Sequence, residues 1–167
     1  MDERESAFRT YFELARKKTR GAIEGLNKQF YAERLREIWS AFDGFLGWRF
    51  FDPNTQKKER ENFVKKYQAL FIGWKMSDQF KESLIKLKSM SPVTNMKTGK
   101  DVVLNDTSNL LEILDLAYAV RSNLDHGAKD LQRDDKIGVR NRELVEHSFK
   151  VTYEILEKTS VNEGINV

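Results

Sequence analysis

An all-α protein is predicted from this sequence, a helical bundle of about five to six helices in one domain. Three observations predict it. Apolar residues recur at spacings of three and four along most of the chain, the period of helices with one face in a core. Only two prolines and nine glycines punctuate 167 residues, so long uninterrupted elements are allowed. The composition, 40% hydrophobic and 33% charged, is enough for one ordinary core at this length. The domain is expected over residues 1–160, with a loose tail at 161–167.

The elements follow in order. The first helix begins near Glu3 and places Phe8, Phe12, Ala15, Thr19, Ala22, Ile23 and Leu26 on one stripe. Gly21 and Gly25 weaken its second half, by about 1 kcal/mol each relative to Ala. The run Arg16-Lys17-Lys18-Thr19-Arg20 reads as a solvated face before it reads as a phosphate contact. A second helix, over 28–50, carries Tyr31, Leu35, Ile38, Trp39, Phe42, Phe45 and Leu46 in register. Asp52-Pro53-Asn54 ends it, because the residue before proline is pushed out of the helical region. Most aromatics here fall on the stripe, which favours core packing over base stacking. Trp48 and Phe51 fit it less well and are expected at the surface.

The third helix, over 56–76, turns Phe63, Val64, Tyr67, Leu70, Phe71 and Trp74 inward. Ser77 is placed to cap a helix over 78–90 with Phe80, Leu84 and Leu87 inward, closed by Ser91-Pro92. Residues 91–107 lose the stripe, and a loop this long in a compact domain is often functional. Within it, Val102-Val103-Leu104 reads as a short extended piece or an apolar anchor, and Lys97 and Lys100 are candidates to meet a phosphate. Asn109 and Glu112 have the spacing of a capping box for the fifth helix. Residues 128–140 read as a charged connector. The last helix is expected from about Asn141 to Lys158, burying Leu144, Val145, Ser148, Val151, Thr152, Ile155 and Leu156.

Composition also excludes. With no cysteine, disulfides, thiolate metal sites and Cys nucleophiles are ruled out. Two histidines on different helices make a poor metal site, so no metal and no cofactor is expected. Gly21, Gly25, Gly44 and Gly47 read as helix interruptions and lack the spacing of a phosphate-cradling loop. His147, with Lys150 and Glu154 on the polar side of the last helix, is expected to face solvent. The charged N-terminus is unlike a signal peptide, and no apolar run approaches the roughly 18–20 residues of a membrane span, so a cytoplasmic, non-membrane protein is expected. A net charge of +3 permits a nucleic-acid partner without requiring one.

The fifth helix is where chemistry is expected. Leu110, Ile113, Leu114, Ala117, Val120 and Leu124 form an apolar stripe, and the last turn then gathers Arg121, Asn123, Asp125 and His126 before Gly127. Arginine offers a planar fork of donors that suits phosphate oxygens, and histidine exchanges a proton near neutral pH. Together they suffice for metal-free RNA cleavage, with the imidazole taking the 2′-hydroxyl proton and the guanidinium stabilising charge on phosphorus oxygens. In a continuous helix the two positions lie about 140° apart, so a second copy of the helix would help complete one cleft. The bland alternative is an ion pair between Arg121 and Asp125, worth about 0.3–0.5 kcal/mol.

The segment Arg121-Ser122-Asn123-Leu124-Asp125-His126-Gly127 resembles the R-x(4–6)-H signature of the HEPN superfamily, in particular its frequent form R-N-N-L-x-H-G. Arg121, Asn123, Leu124, His126 and Gly127 match that form, and Arg142-Glu143-Leu144-Val145 resembles the start of the family's closing helix. The resemblance is specific over residues 110–158 and architectural over 1–109. It implies a HEPN-like bundle, a homodimer whose two motifs meet in one cleft, and a metal-independent endoribonuclease acting on single-stranded RNA, in toxin–antitoxin or defence systems. It implies catalytic places for Arg121 and His126 and supporting ones for Asn123, Ser122 and Asp125. Lys129 joins Lys97 and Lys100 as a candidate substrate-binding cation. An antitoxin or a nucleotidyltransferase is the kind of partner implied. Two departures matter: Ser122 stands where the family prefers Asn, Asp or His, and Asp125 places an acid beside His126. The family also contains members without nuclease activity, so a non-catalytic module that binds a nucleotide, RNA or a protein is the alternative.

Overall fold

Large side chains at helical spacing build the core. Phe8 and Phe12, then Trp39, Phe42 and Phe45, then Phe63 and Tyr67, and finally Phe80 are all buried. Their rings meet across helices, with centroids 5.4 Å apart for Phe8 and Phe45 and 5.1 Å for Phe42 and Phe63. Offset and edge-on pairs of this kind add to what their buried area supplies. The structure, a computed structural model, describes residues 1–20, 30–127, 131 and 133–166; the side chains at 18–20, 126 and 127 lie outside the described residues.

Among the described residues there are six helices and one hairpin: α1 (Glu3–Arg20), α2 (Phe30–Arg49), α3 (Gln56–Gly73), α4 (Asp78–Met90), β1 (Val93–Asn95), β2 (Lys100–Val102), α5 (Leu110–Gly127) and α6 (Lys136–Asn162). The fold is an all-α helical bundle. Helix α1 packs along α2, α6 lies against α2, α4 and α5, and α5 touches α2, α3, α6 and both strands. That makes α5 the central element. Lys28, Ala22, Ile23, Leu26, Gly21, Gly25 and the side chain of Thr19 lie outside the described residues, as does Lys129.

Several boundaries differ from the sequence reading, each for a physical reason. Gly44 and Gly47 do not interrupt α2. A Cβ on Gly44 would stand 2.8 Å from the Phe8 nitrogen and 2.9 Å from the Arg4 carbonyl oxygen, so glycine is what lets α1 and α2 approach. Trp48 is packed against the core and stacks on Phe8, whereas Phe51 is 59% exposed. Helix α3 stops at Gly73, short of Met76, and Leu70 lies at the edge of its stripe, 42% exposed. Lys17 pairs with Glu13 at 2.7 Å on the outer face of α1.

The stretch 91–107 is an ordered hairpin. β1 and β2 pair antiparallel, Val93 with Val102 and Asn95 with Lys100, around a turn in which Gly99 takes φ 69°. Leu104 is buried and anchors its exit. Asn109 caps α5 by accepting from the Glu112 N–H at 3.1 Å, but Glu112 completes no reciprocal box. Its carboxylate instead accepts from the Asn105 and Asp106 N–H groups, both at 2.9 Å.

The last helix starts earlier than its apolar pattern. Asp135, not Asn141, caps it, accepting from the Gly138 N–H at 3.1 Å. At its other end α6 continues past Lys158 to Asn162 and closes in a Schellman turn. Ile165 N–H donates to the Ser160 carbonyl and Gly164 N–H to that of Val161, with Gly164 at φ 67°. Glu163 then accepts from both Lys66 and the Tyr67 hydroxyl, so the stretch read as a loose tail is tied to α3.

Candidate functional site

The last turn of α5 is set by what surrounds it. Its apolar residues Val120 and Leu124 are buried, which fixes the rotation of the helix and sorts its polar side chains between two sides. Arg121 and Asn123 are two positions apart, roughly 160° around the helix by the shorter way.

On the α2 side, Arg121 pairs with Asp125 through Nη1 at 3.5 Å. Arg36, from α2, reaches the same carboxylate through Nε at 3.7 Å and donates through Nη2 to the Leu124 carbonyl at 3.2 Å. Asp125 therefore sits between two guanidinium groups, at ion-pair distances longer than good charged hydrogen bonds. All three side chains reach solvent, with 31% of Arg121, 40% of Arg36 and 52% of Asp125 exposed. The Arg121 Nε is buried without a hydrogen-bond partner. Deeper on the same side lies Asp43 of α2. Burial pushes its carboxyl up to about 6, against the opposing pull of the Arg121 and Arg60 charges, with Glu59 adding to the rise. The Arg60 guanidinium lies 4.2 Å from the centre of the Tyr118 ring and 3.6 Å from Asp115. Burial likewise raises the Asp115 carboxyl.

On the other side, Asn123 holds the hairpin. Its Oδ1 accepts from the Met96 N–H at 2.9 Å and its Nδ2 donates to the Thr94 carbonyl at 2.8 Å. Lys97 and Lys100 stand exposed in this turn region, on the Asn123 side and not beside Arg121. Ser122 is buried, 5% exposed. His126 belongs to α5, and Gly127 is its last helical residue rather than a stop beyond it; the His126 side chain and Lys129 lie outside the described residues.

The other histidine is not simply a surface group. The His147 Nδ1 lies 3.0 Å from the Ser83 hydroxyl of α4, which is itself 1% exposed. Burial pushes the imidazole below its usual range, with Glu146 opposing and Lys150 adding to that effect. Solvent exposure fails here because α4 packs over that part of α6. Among the described residues no three of His, Cys, Asp and Glu are grouped so as to hold a metal ion.

Arg36 and Asp43 are the residues that sequence reasoning missed. Both lie on the polar edge of α2, seven residues apart and hence on one face, which was the available signal. Chemically, the α2 side offers two guanidinium forks around one displaceable carboxylate, an arrangement suited to a phosphate.

Comparison with known proteins found no matching family model, no matching curated protein and no matching solved structure. The class established is an all-α helical bundle. No helix among the described residues is long and apolar enough to cross a membrane.

Proposed function

We propose that the protein is a HEPN-type, metal-independent endoribonuclease that cleaves single-stranded RNA at a homodimer cleft, in a cytoplasmic toxin–antitoxin or defence role. The observation that carries this reading is the segment from Arg121 to Gly127, R-S-N-L-D-H-G, at the end of the central helix, with a second guanidinium, Arg36, beside Arg121. Arg121 and Arg36 take the phosphate, displacing Asp125. His126 accepts the 2′-hydroxyl proton, the 2′-oxygen attacks phosphorus, and the 5′-oxygen leaves with a proton returned by an imidazolium. The end of the helix favours imidazolium by up to about 2 kcal/mol. Because the two motif positions diverge on one helix, the pair is assembled across the dimer. An antitoxin or nucleotidyltransferase is the kind of partner that would cover the site.

A second reading is favoured by Asp125, whose carboxylate occupies the place of the phosphate, and by Asn123, already bound to the hairpin. It is a HEPN module that binds nucleotide, RNA or a partner without cleaving. Incubation with single-stranded RNA in EDTA separates the two. The nuclease leaves cyclic-phosphate ends and loses activity in Arg121→Ala and His126→Ala while remaining folded. RNA that is bound but intact supports the second reading instead.

A further inference from the structure

On the hairpin side of α5 there is a cleft of 260 Å³. It is somewhat smaller than the roughly 300–1,000 Å³ pockets of drug-sized ligands and matches a single planar heterocycle better. Val93, Leu124 and Leu144 give it apolar walls from β1, α5 and α6, while Asn123, Asn141 and Arg140 stand at its polar edge.

Two of these polar groups are only partly used. Among the described residues the Asn141 amide has no hydrogen-bond partner. Arg140 is pinned by one nitrogen, since its Nη2 donates to the Met90 carbonyl at 2.7 Å and the Pro92 carbonyl at 3.1 Å. Its Nη1 and Nε have no partner among the described residues. The guanidinium is thus held over the cleft mouth with its remaining fork open, so much of the ordering cost of binding an anion is already met. An asparagine amide presents a donor and an acceptor side by side, the pattern that matches the edge of adenine. Apolar walls on either side suit its faces.

We propose that this cleft binds a purine nucleoside monophosphate unit. The base lies between the apolar walls with its edge on Asn141, and the phosphate rests on Arg140. The proposal rests on the nucleotide-binding part of the function above and does not require cleavage. Such a unit is supplied either by a free nucleotide or by an RNA strand.

The test is calorimetric titration of the full chain with 5′-AMP, adenosine and the trinucleotide ApApA, the last in the His126→Ala background so that it survives. AMP is expected to bind more tightly than adenosine. Asn141→Ala weakens both about tenfold. Leu144→Phe, which fills the cleft, abolishes both. Arg140→Gln lowers AMP to the affinity of adenosine and leaves adenosine unchanged, which also shows that this variant is folded. Tighter binding of ApApA than of AMP assigns the site to an RNA strand, and the reverse assigns it to a free nucleotide. No binding of AMP at millimolar concentration, or binding unchanged in Asn141→Ala and Leu144→Phe, overturns the proposal. RNA cleavage that persists alongside that result leaves the nuclease reading intact, so the two failures are distinguishable.

Discussion

Replacing Asn123 by Ala separates a structural role for this residue from a role in chemistry. The side chain makes two hydrogen bonds to the hairpin, at 2.9 Å from Met96 and 2.8 Å to Thr94. Each contributes about 0.5–1.5 kcal/mol net. Thr94 and Met96 are exposed, so the freed groups recover water and no burial penalty is added. Alanine returns about 0.5 kcal/mol through its better helix propensity. The expected net loss is about 1 kcal/mol, or roughly 2–4 °C in the thermal midpoint for a chain of this size. The sharper readout is hydrogen exchange at the Met96 amide, which should accelerate about tenfold as the hairpin opens locally. Asn123→Asp keeps the acceptor for Met96 and loses the donor to Thr94, so it should fall between. An unchanged midpoint together with unchanged Met96 exchange would refute the anchoring role.

Three further outcomes are expected. Gly44→Ala should lower stability to urea by about 1 kcal/mol, because an overpacking cost of about 1–3 kcal/mol against the α1 backbone exceeds the helix-propensity gain of about 1 kcal/mol; unchanged or higher stability would contradict the close approach. Gly164→Ala should cost about 1–2 kcal/mol at its left-handed φ, whereas Gly73→Ala, with open space around it, should not destabilise. Asp43 has a sign that can be worked out. Its carboxyl rises from 3.8 to about 6 on folding, so the unfolded chain releases the proton first and stability falls as pH rises through that window. The full effect is about 3 kcal/mol once both states are ionised. Asp43→Asn should remove this step, seen as a stability difference from wild type that grows between pH 4 and 7; a difference independent of pH would exclude it.

How far the fold could be read from sequence depended on whether a signal was local. The apolar period located α5 and its capping Asn109, and Ser77 marked the start of α4 as expected, accepting from the Phe80 N–H. The hairpin was illegible because each strand spans only three residues, too few for alternation to show. The first turn of α6 was missed because Ile137 and Val139 are 49% and 44% exposed, so they trace no buried stripe. The site divides the same way. Arg121, Asn123 and Asp125 are contiguous and could be named, but the motif gave no hint that Asn123 would be taken up by the hairpin. Arg36 and Ser83 act on α5 and α6 from distant parts of the chain, and only folding brings them there.

The most direct test of the central claim mixes two inactive variants. Arg121→Ala and His126→Ala are each purified, combined, exchanged through brief mild denaturation and assayed on single-stranded RNA in EDTA. If Arg121 of one protomer works with His126 of its partner, each variant alone is inactive. The mixture should regain roughly a quarter of the wild-type rate, since half of randomly exchanged dimers are mixed and each holds one complete pair of two. Wild-type protein that leaves RNA intact, or cleavage of equal strength in wild type and both variants, would contradict the account.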